Sequence, residues 1–148
     1  MIGNHGYIFV ALALALGGCA AGDDGFATSP AGYVQDAGAR VAAADWAAAE
    51  TVEIVLSEYE FQPADLTFRA GTPYRLRLSN TGDATHYFAA ADFFKAIAAQ
   101  RLTRPGDAVE TPLLTSIAVP PGASKTLSFG PVERGAYDVE CTAPLHAV

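Results

Sequence analysis

Basic side chains are scarce: the 148 residues hold 9 Lys and Arg against 16 Asp and Glu, for a formal net charge of −7. No basic run interrupts the chain, so nucleic acid and anionic lipid surfaces find no electrostatic partner in it. Cysteine is almost absent, with only Cys19 and Cys141, so at most one bridge can form within the chain. The apolar run Tyr7–Leu16 is about ten residues long, too short to span a bilayer. Nothing supplies a nucleophile beside its base, a phosphate-cradling glycine loop or a paired acid and base, so the expectation is a protein that is not an enzyme. No internal repeat is evident, and low complexity is confined to the stretch before residue 51.

A 51% apolar composition in a chain of this length fills one core of ordinary size, which predicts one domain with appendages. Tyr7–Leu16 has the length of the hydrophobic part of a secretory signal. It runs into Leu16-Gly17-Gly18-Cys19, which resembles the bacterial lipobox, in which the cysteine becomes the lipidated first residue of the mature protein. Residues 1–18 are therefore expected to be a signal peptide and Cys19 a lipidation site, placing the protein outside the cytoplasm, in the periplasm, as a membrane-anchored lipoprotein. Met1–Gly6 departs from the usual pattern in having neither Lys nor Arg. Acylation of Cys19 would leave Cys141 as a lone thiol in an oxidising compartment, for which metal ligation supplies a reason; a Cys19–Cys141 bridge is the competing reading. Residues 19–50, rich in Ala and Gly, read as a linker, with Val41–Glu50 able to form a short helix around Trp46.

After Thr51 the pattern changes to strands and turns. Val52, Ile54 and Leu56 alternate with Glu53, Val55 and Ser57, Tyr59 and Phe61 lead to Pro63, and Leu66–Phe68 makes a short second run. Tyr74, Leu76 and Leu78 alternate with Arg75, Arg77 and Ser79; the turn signal Asn80-Thr81-Gly82-Asp83 follows, and His86 then opens another extended piece. Asp92–Arg101 breaks the alternation and predicts a helical insertion, with Asp92 as its N-cap and Phe93 and Ile97 on its apolar face. Thr103–Glu110 reads as a polar stretch. Ser116–Val119 and Lys125–Phe129 are two further strands, and six or seven short strands punctuated by Gly and Pro predict an antiparallel sandwich or barrel.

The chemistry concentrates in Gly135–His146. Tyr137, Val139 and Cys141 alternate with Asp138 and Glu140, so a strand here points the thiol to the apolar side and the carboxylates to water. Thr142, Ala143 and Pro144 then form a loop that carries His146 back toward the sulfur, within reach of one metal ion. Alone, a C-x4-H spacing is a weak signal.

Its context strengthens it. Phe61-x-Pro63-x-x-Leu66, Gly71, Tyr74-x-Leu76-x-Leu78-x-Asn80, His86, Val119-Pro120-Pro121-Gly122 and Gly135-x-Tyr137-x-x-x-Cys141-Thr142-x-Pro144-x-His146 together resemble the cupredoxins, the type 1 (blue) copper proteins of plastocyanin and azurin kind, over roughly residues 51–148. The resemblance implies an all-β Greek-key β-sandwich in which His86, Cys141 and His146 bind one mononuclear type 1 copper ion, with Thr142 beside the thiolate. It implies a one-electron carrier meeting redox partner proteins, with Ala143, Pro144 and Leu145 as an apolar docking patch at the copper end and the membrane engaged only through the lipid anchor. In the family an axial Met and a final strand follow the second loop His. Here Met1 is the sole methionine and the sequence stops at Val148, so either this is a fragment of a longer reading frame or the site has three ligands and an open position. Copper delivery or sequestration without redox cycling, occupancy by zinc, and a metal-free interaction domain remain as alternatives.

Overall fold

The computed structural model describes residues 29–58 and 60–142. After α1 (Ala37–Ala43) and a 3-10 turn (Trp46–Ala48), the chain is built from strands whose inward positions are apolar. β1 (Glu50–Leu56) buries Ile54 and Leu56 and is followed by the short β2 (Phe61–Gln62). β3 (Tyr74–Asn80) buries Tyr74, Leu76 and Leu78 and leaves Arg77 in solvent, the period of two that a half-buried strand requires. β4 (His86–Ala89), α2 (Ala91–Lys95), β5 (Ile97–Arg104), β6 (Asp107–Glu110), β7 (Ser116–Val119) and β8 (Ser124–Pro131) complete the order.

Six strands form one sheet in the order β2-β1-β3-β8-β5-β6, in which β1 and β3 run parallel and the other neighbours antiparallel. β4 and β7 form a second, antiparallel pair, with His86 opposite Val119 and Ala89 opposite Ser116. Leu76, Leu78, Leu127 and Phe129 of the large sheet share one core with Phe88, Ile117 and Val119 of the small one. The result is the expected all-β sandwich, with strand neighbours that are not consecutive in sequence. Aromatic rings close one end of it edge to face. Phe129 meets Phe68 at 5.1 Å and Phe93 at 5.5 Å between centroids, the T-shaped geometry that ring quadrupoles favour. Among the described residues no helix is long and apolar enough to cross a membrane.

Three sequence expectations over residues 92–110 need correction. The helix expected over Asp92–Arg101 is only five residues long, and Ile97–Arg104 is a strand between β8 and β6. Alanine-rich helix propensity yields there to two ladders of tertiary hydrogen bonds, with a bulge at Ala99/Arg101 absorbing the irregular spacing. Asp92 is not the N-cap, a position taken by Ala90; its carboxylate pairs with Lys95 instead. The polar stretch Thr103–Glu110 is a β5–β6 hairpin turning at Gly106, whose φ of 78° suits glycine.

Leu66–Phe68 enters no strand ladder among the described residues; its side chains instead pack against the core. That segment faces residues 131–139 across a cavity of about 670 Å³ floored by Phe88, Phe93 and Ile97.

Residues 33–49 are held by a few individual hydrogen bonds. Val34 is buried and its N–H donates to the Lys95 carbonyl, and Tyr33 Oη donates to the Leu114 carbonyl at 2.9 Å. Arg75 on β3 donates to the Trp46 and Ala49 carbonyls. A buried backbone needs such partners, and these contacts tie residues 33–49 to α2, to the loop at Leu114 and to β3.

Phe129 is fully buried at the junction of both sheets and the aromatic cluster. Phe129→Ala is expected to cost about 3–5 kcal/mol in denaturant unfolding, while Leu113→Ala, at a side chain 59% exposed, should change stability by no more than about 0.5 kcal/mol.

Candidate metal centre

The site starts from the loop between β3 and β4, braced by the Asn80 side chain. The Asn80 side chain, at the end of β3, is buried. Its Nδ2 donates to the Ala84 carbonyl at 2.8 Å and to the Val119 carbonyl at 2.7 Å, and its Oδ1 accepts from the Gly82 N–H at 2.8 Å. Val119 is also the ladder partner of His86. One amide thus ties the turn leading into β4 to the strand against which His86 is registered, and it uses both donors and an acceptor to do so.

His86 is the first residue of β4 and is fully buried. The two nitrogens of its ring face different chemistry. Nδ1 lies 3.5 Å from Cys141 Sγ, and Nε2 lies 3.7 Å from Glu58 Oε1. Glu58 reaches the site from the turn after β1, and its Oε1 accepts a short hydrogen bond from the Asp83 N–H. That bond, more than the nearby imidazole, holds the Glu58 carboxyl below the usual carboxylate range.

Cys141 arrives from the other end of β4. The residue before it, Glu140, exchanges both backbone hydrogen bonds with Ala89, at 2.9 and 3.0 Å, an isolated bridge that fixes where the next side chain falls. Tyr137 and Val139 pack on the core while Asp138 and Glu140 are exposed, so the alternation read from the sequence persists, although residues 132–139 form no regular strand. The Tyr87 N–H points to Cys141 Sγ at 3.5 Å, a donor suited to stabilise a thiolate. Thr142 is exposed and makes no side-chain hydrogen bond among the described residues, while the Tyr87 amide and the His86 ring both approach the sulfur.

The structure therefore brings together two of the expected ligands, His86 and Cys141. His146, like the lipidation candidate Cys19, lies outside the described residues. Among the described residues no three His, Cys, Asp or Glu side chains gather as a metal cluster. The pair nonetheless fits a soft first-row ion. Bonds of about 2.3 Å to sulfur and 2.0 Å to nitrogen together exceed the 3.5 Å separation, so one ion can touch both atoms.

Asn80, Glu58 and the Tyr87 amide escape a reading for metal ligands. The Asn80-Thr81-Gly82-Asp83 turn signal marks the loop without revealing that its first side chain is buried. Nothing in the sequence joins Glu58 to a histidine 28 positions later.

The chain belongs to the cupredoxin-like domain family, whose model matches residues 31–147. No curated protein matches it. Among solved structures it is similar to a copper nitrite reductase from Nitrosomonas europaea, with 17% identity and a TM-score of 0.48, covering 66% of this chain and 45% of that one. It is similar to a multicopper oxidase from Campylobacter jejuni, described as a metallo-oxidase, with 14% identity, a TM-score of 0.47, and 62% and 26% coverage. Lac15 from a marine microbial metagenome is similar at 16% identity and a TM-score of 0.45, with 67% and 24% coverage. The chain spans less than half the length of each of these three proteins.

Replacing Asn80 tests the loop. Asn80→Ala would leave the Val119 carbonyl and the Gly82 N–H without their partner, and an expected loss of about 2–4 kcal/mol should appear in chemical unfolding. A change below about 0.5 kcal/mol would show that the loop holds its shape without the amide.

Proposed function

We propose that this protein is a copper-binding one-electron carrier, not an enzyme, in which Cys141, His86 and His146 hold a single type 1 copper ion. The observation that carries this reading is the approach of Cys141 Sγ to His86 Nδ1, 3.5 Å apart, with the imidazole fully buried. When bound, copper supplies a centre that takes up and releases one electron, since thiolate and imidazole suit both of its common oxidation states.

The chain's own contribution is rigidity. His86 is held by the β4–β7 ladder, by the Asn80 amide on its ladder partner and by its burial. Cys141 is held by the Glu140–Ala89 bridge and receives the Tyr87 N–H. Both positions are thus referred to one four-residue strand, β4, so neither ligand needs to move far when the charge at the site changes. The Tyr87 N–H also offsets negative charge on the sulfur, which favours the thiolate as ligand.

The site belongs, in this reading, to an exported lipoprotein anchored through Cys19, meeting redox partner proteins at the extracytoplasmic membrane face. Mass spectrometry of the protein recovered from membranes is expected to find Cys19 as an acylated N-terminus; an unmodified residue or a Cys19–Cys141 disulfide would refute the anchor.

Purified protein titrated with copper is expected to bind one equivalent, to show an intense visible thiolate charge-transfer band, and to give reversible one-electron voltammetry. Cys141→Ser should abolish the band while leaving the fold intact. Colourless copper that does not cycle would replace the carrier with a delivery or sequestration module. No stoichiometric metal would leave an interaction domain.

A further inference from the structure

We propose that Glu58 is a positioning residue for His86: its carboxylate holds the imidazole in the tautomer that carries the proton on Nε2 and the lone pair on Nδ1, and its charge biases the site toward the more oxidised ion. The second half of this proposal rests on the copper reading above; the first does not.

Two independent contacts place the carboxylate. Its Oε1 accepts from the Asp83 N–H, in the turn that leads into β4, and the same atom lies 3.7 Å from His86 Nε2. The fit is close: with the carboxylate where it stands, a Cβ at the buried Gly82 would overlap it. Glu58 is therefore wedged against the loop and held beside the ring.

The geometry sorts the two ring nitrogens. A neutral imidazole carries one N–H and one lone pair, and an adjacent carboxylate favours the N–H on the nitrogen that faces it. At 3.7 Å the Glu58 contact is electrostatic and longer than a hydrogen bond, yet it acts on a ring fully removed from water. It favours the proton on Nε2 and leaves the Nδ1 lone pair directed at Cys141, 3.5 Å away. Carboxylates paired with the far nitrogen of a ligating histidine commonly set its tautomer and raise its basicity. A fixed negative charge on that side also stabilises a dipositive ion more than a monopositive one. The Glu58 side chain is 37% exposed, so solvent weakens this effect without removing it.

The test uses the full chain with Glu58→Gln, which keeps size and an acceptor oxygen but removes the charge. Glu58→Asp serves as the conservative variant. Glu53→Gln, at an exposed carboxylate on β1 that faces Arg77, is the control. In the metal-free protein, imidazole nitrogen chemical shifts report the His86 tautomer. The Nε2–H form is expected to dominate in the parent and in the Glu53→Gln protein and to lose population in Glu58→Gln. In the copper-loaded protein, the Cu(I) to Cu(II) affinity ratio is expected to rise roughly fivefold in Glu58→Gln. Glu58→Asp should recover part of that change, and Glu53→Gln should leave the ratio as it is. A folded Glu58→Gln protein with an unchanged tautomer overturns the positioning role. An unchanged affinity ratio, or an equal shift in Glu53→Gln, overturns the charge effect. Failure to bind copper at all overturns the carrier reading and the charge effect with it, while the tautomer measurement still judges Glu58 separately.

Discussion

The placement of a fully buried imidazole at the first residue of β4 is the constraint around which this end of the molecule is arranged. A polar ring can be taken out of water only if its surroundings answer both of its nitrogens. Here a sulfur faces one and a carboxylate faces the other. Bringing them there takes a cysteine carried in from beyond β8 and a glutamate reaching over from the turn after β1, and the loop between β3 and β4 must keep one shape. Asn80 braces that shape from within, with two hydrogen bonds donated to the Ala84 and Val119 carbonyls and one accepted from the Gly82 N–H.

The frame beneath is conventional by comparison. Leucines and phenylalanines of two sheets meet in a single core, and the aromatic cluster around Phe129 fills the end where α2 and the 66–68 segment pack. Apolar burial of this kind stabilises the sandwich without choosing among loop conformations. The choice at the His86–Cys141 end comes from directional contacts: the Asn80 amide, the Glu140–Ala89 bridge and the Tyr87 N–H. Core and site thus divide the work, the first supplying stability and the second precision.

Legibility in the sequence followed the same division. Tyr74, Leu76 and Leu78, or Tyr137 and Val139, declare their face by a period of two, because burial acts residue by residue. The sequence failed where pairing decided the outcome. Ile97–Arg104 looks helical by composition and becomes a strand because β6 and β8 are there to accept its hydrogen bonds. Residues 33–49 look like a tether because their apolar content is small; what holds them is a set of individual hydrogen bonds from Tyr33, Val34 and Arg75, which no local pattern announces.

By itself, the amino-acid order determined an all-β domain, the inward face of its main strands, and the thiol and imidazole worth watching, since alternation and side-chain chemistry are local properties. Only the tertiary structure decided that His86 and Cys141 lie together, that the amide beside the sulfur is that of Tyr87, and that Glu58 stands on the far side of the ring. Those facts depend on strand register and on a loop 80–86 closed by Asn80. Contacts between residues 28 and 55 positions apart are set by how strands pair in space and leave no periodic trace along the chain.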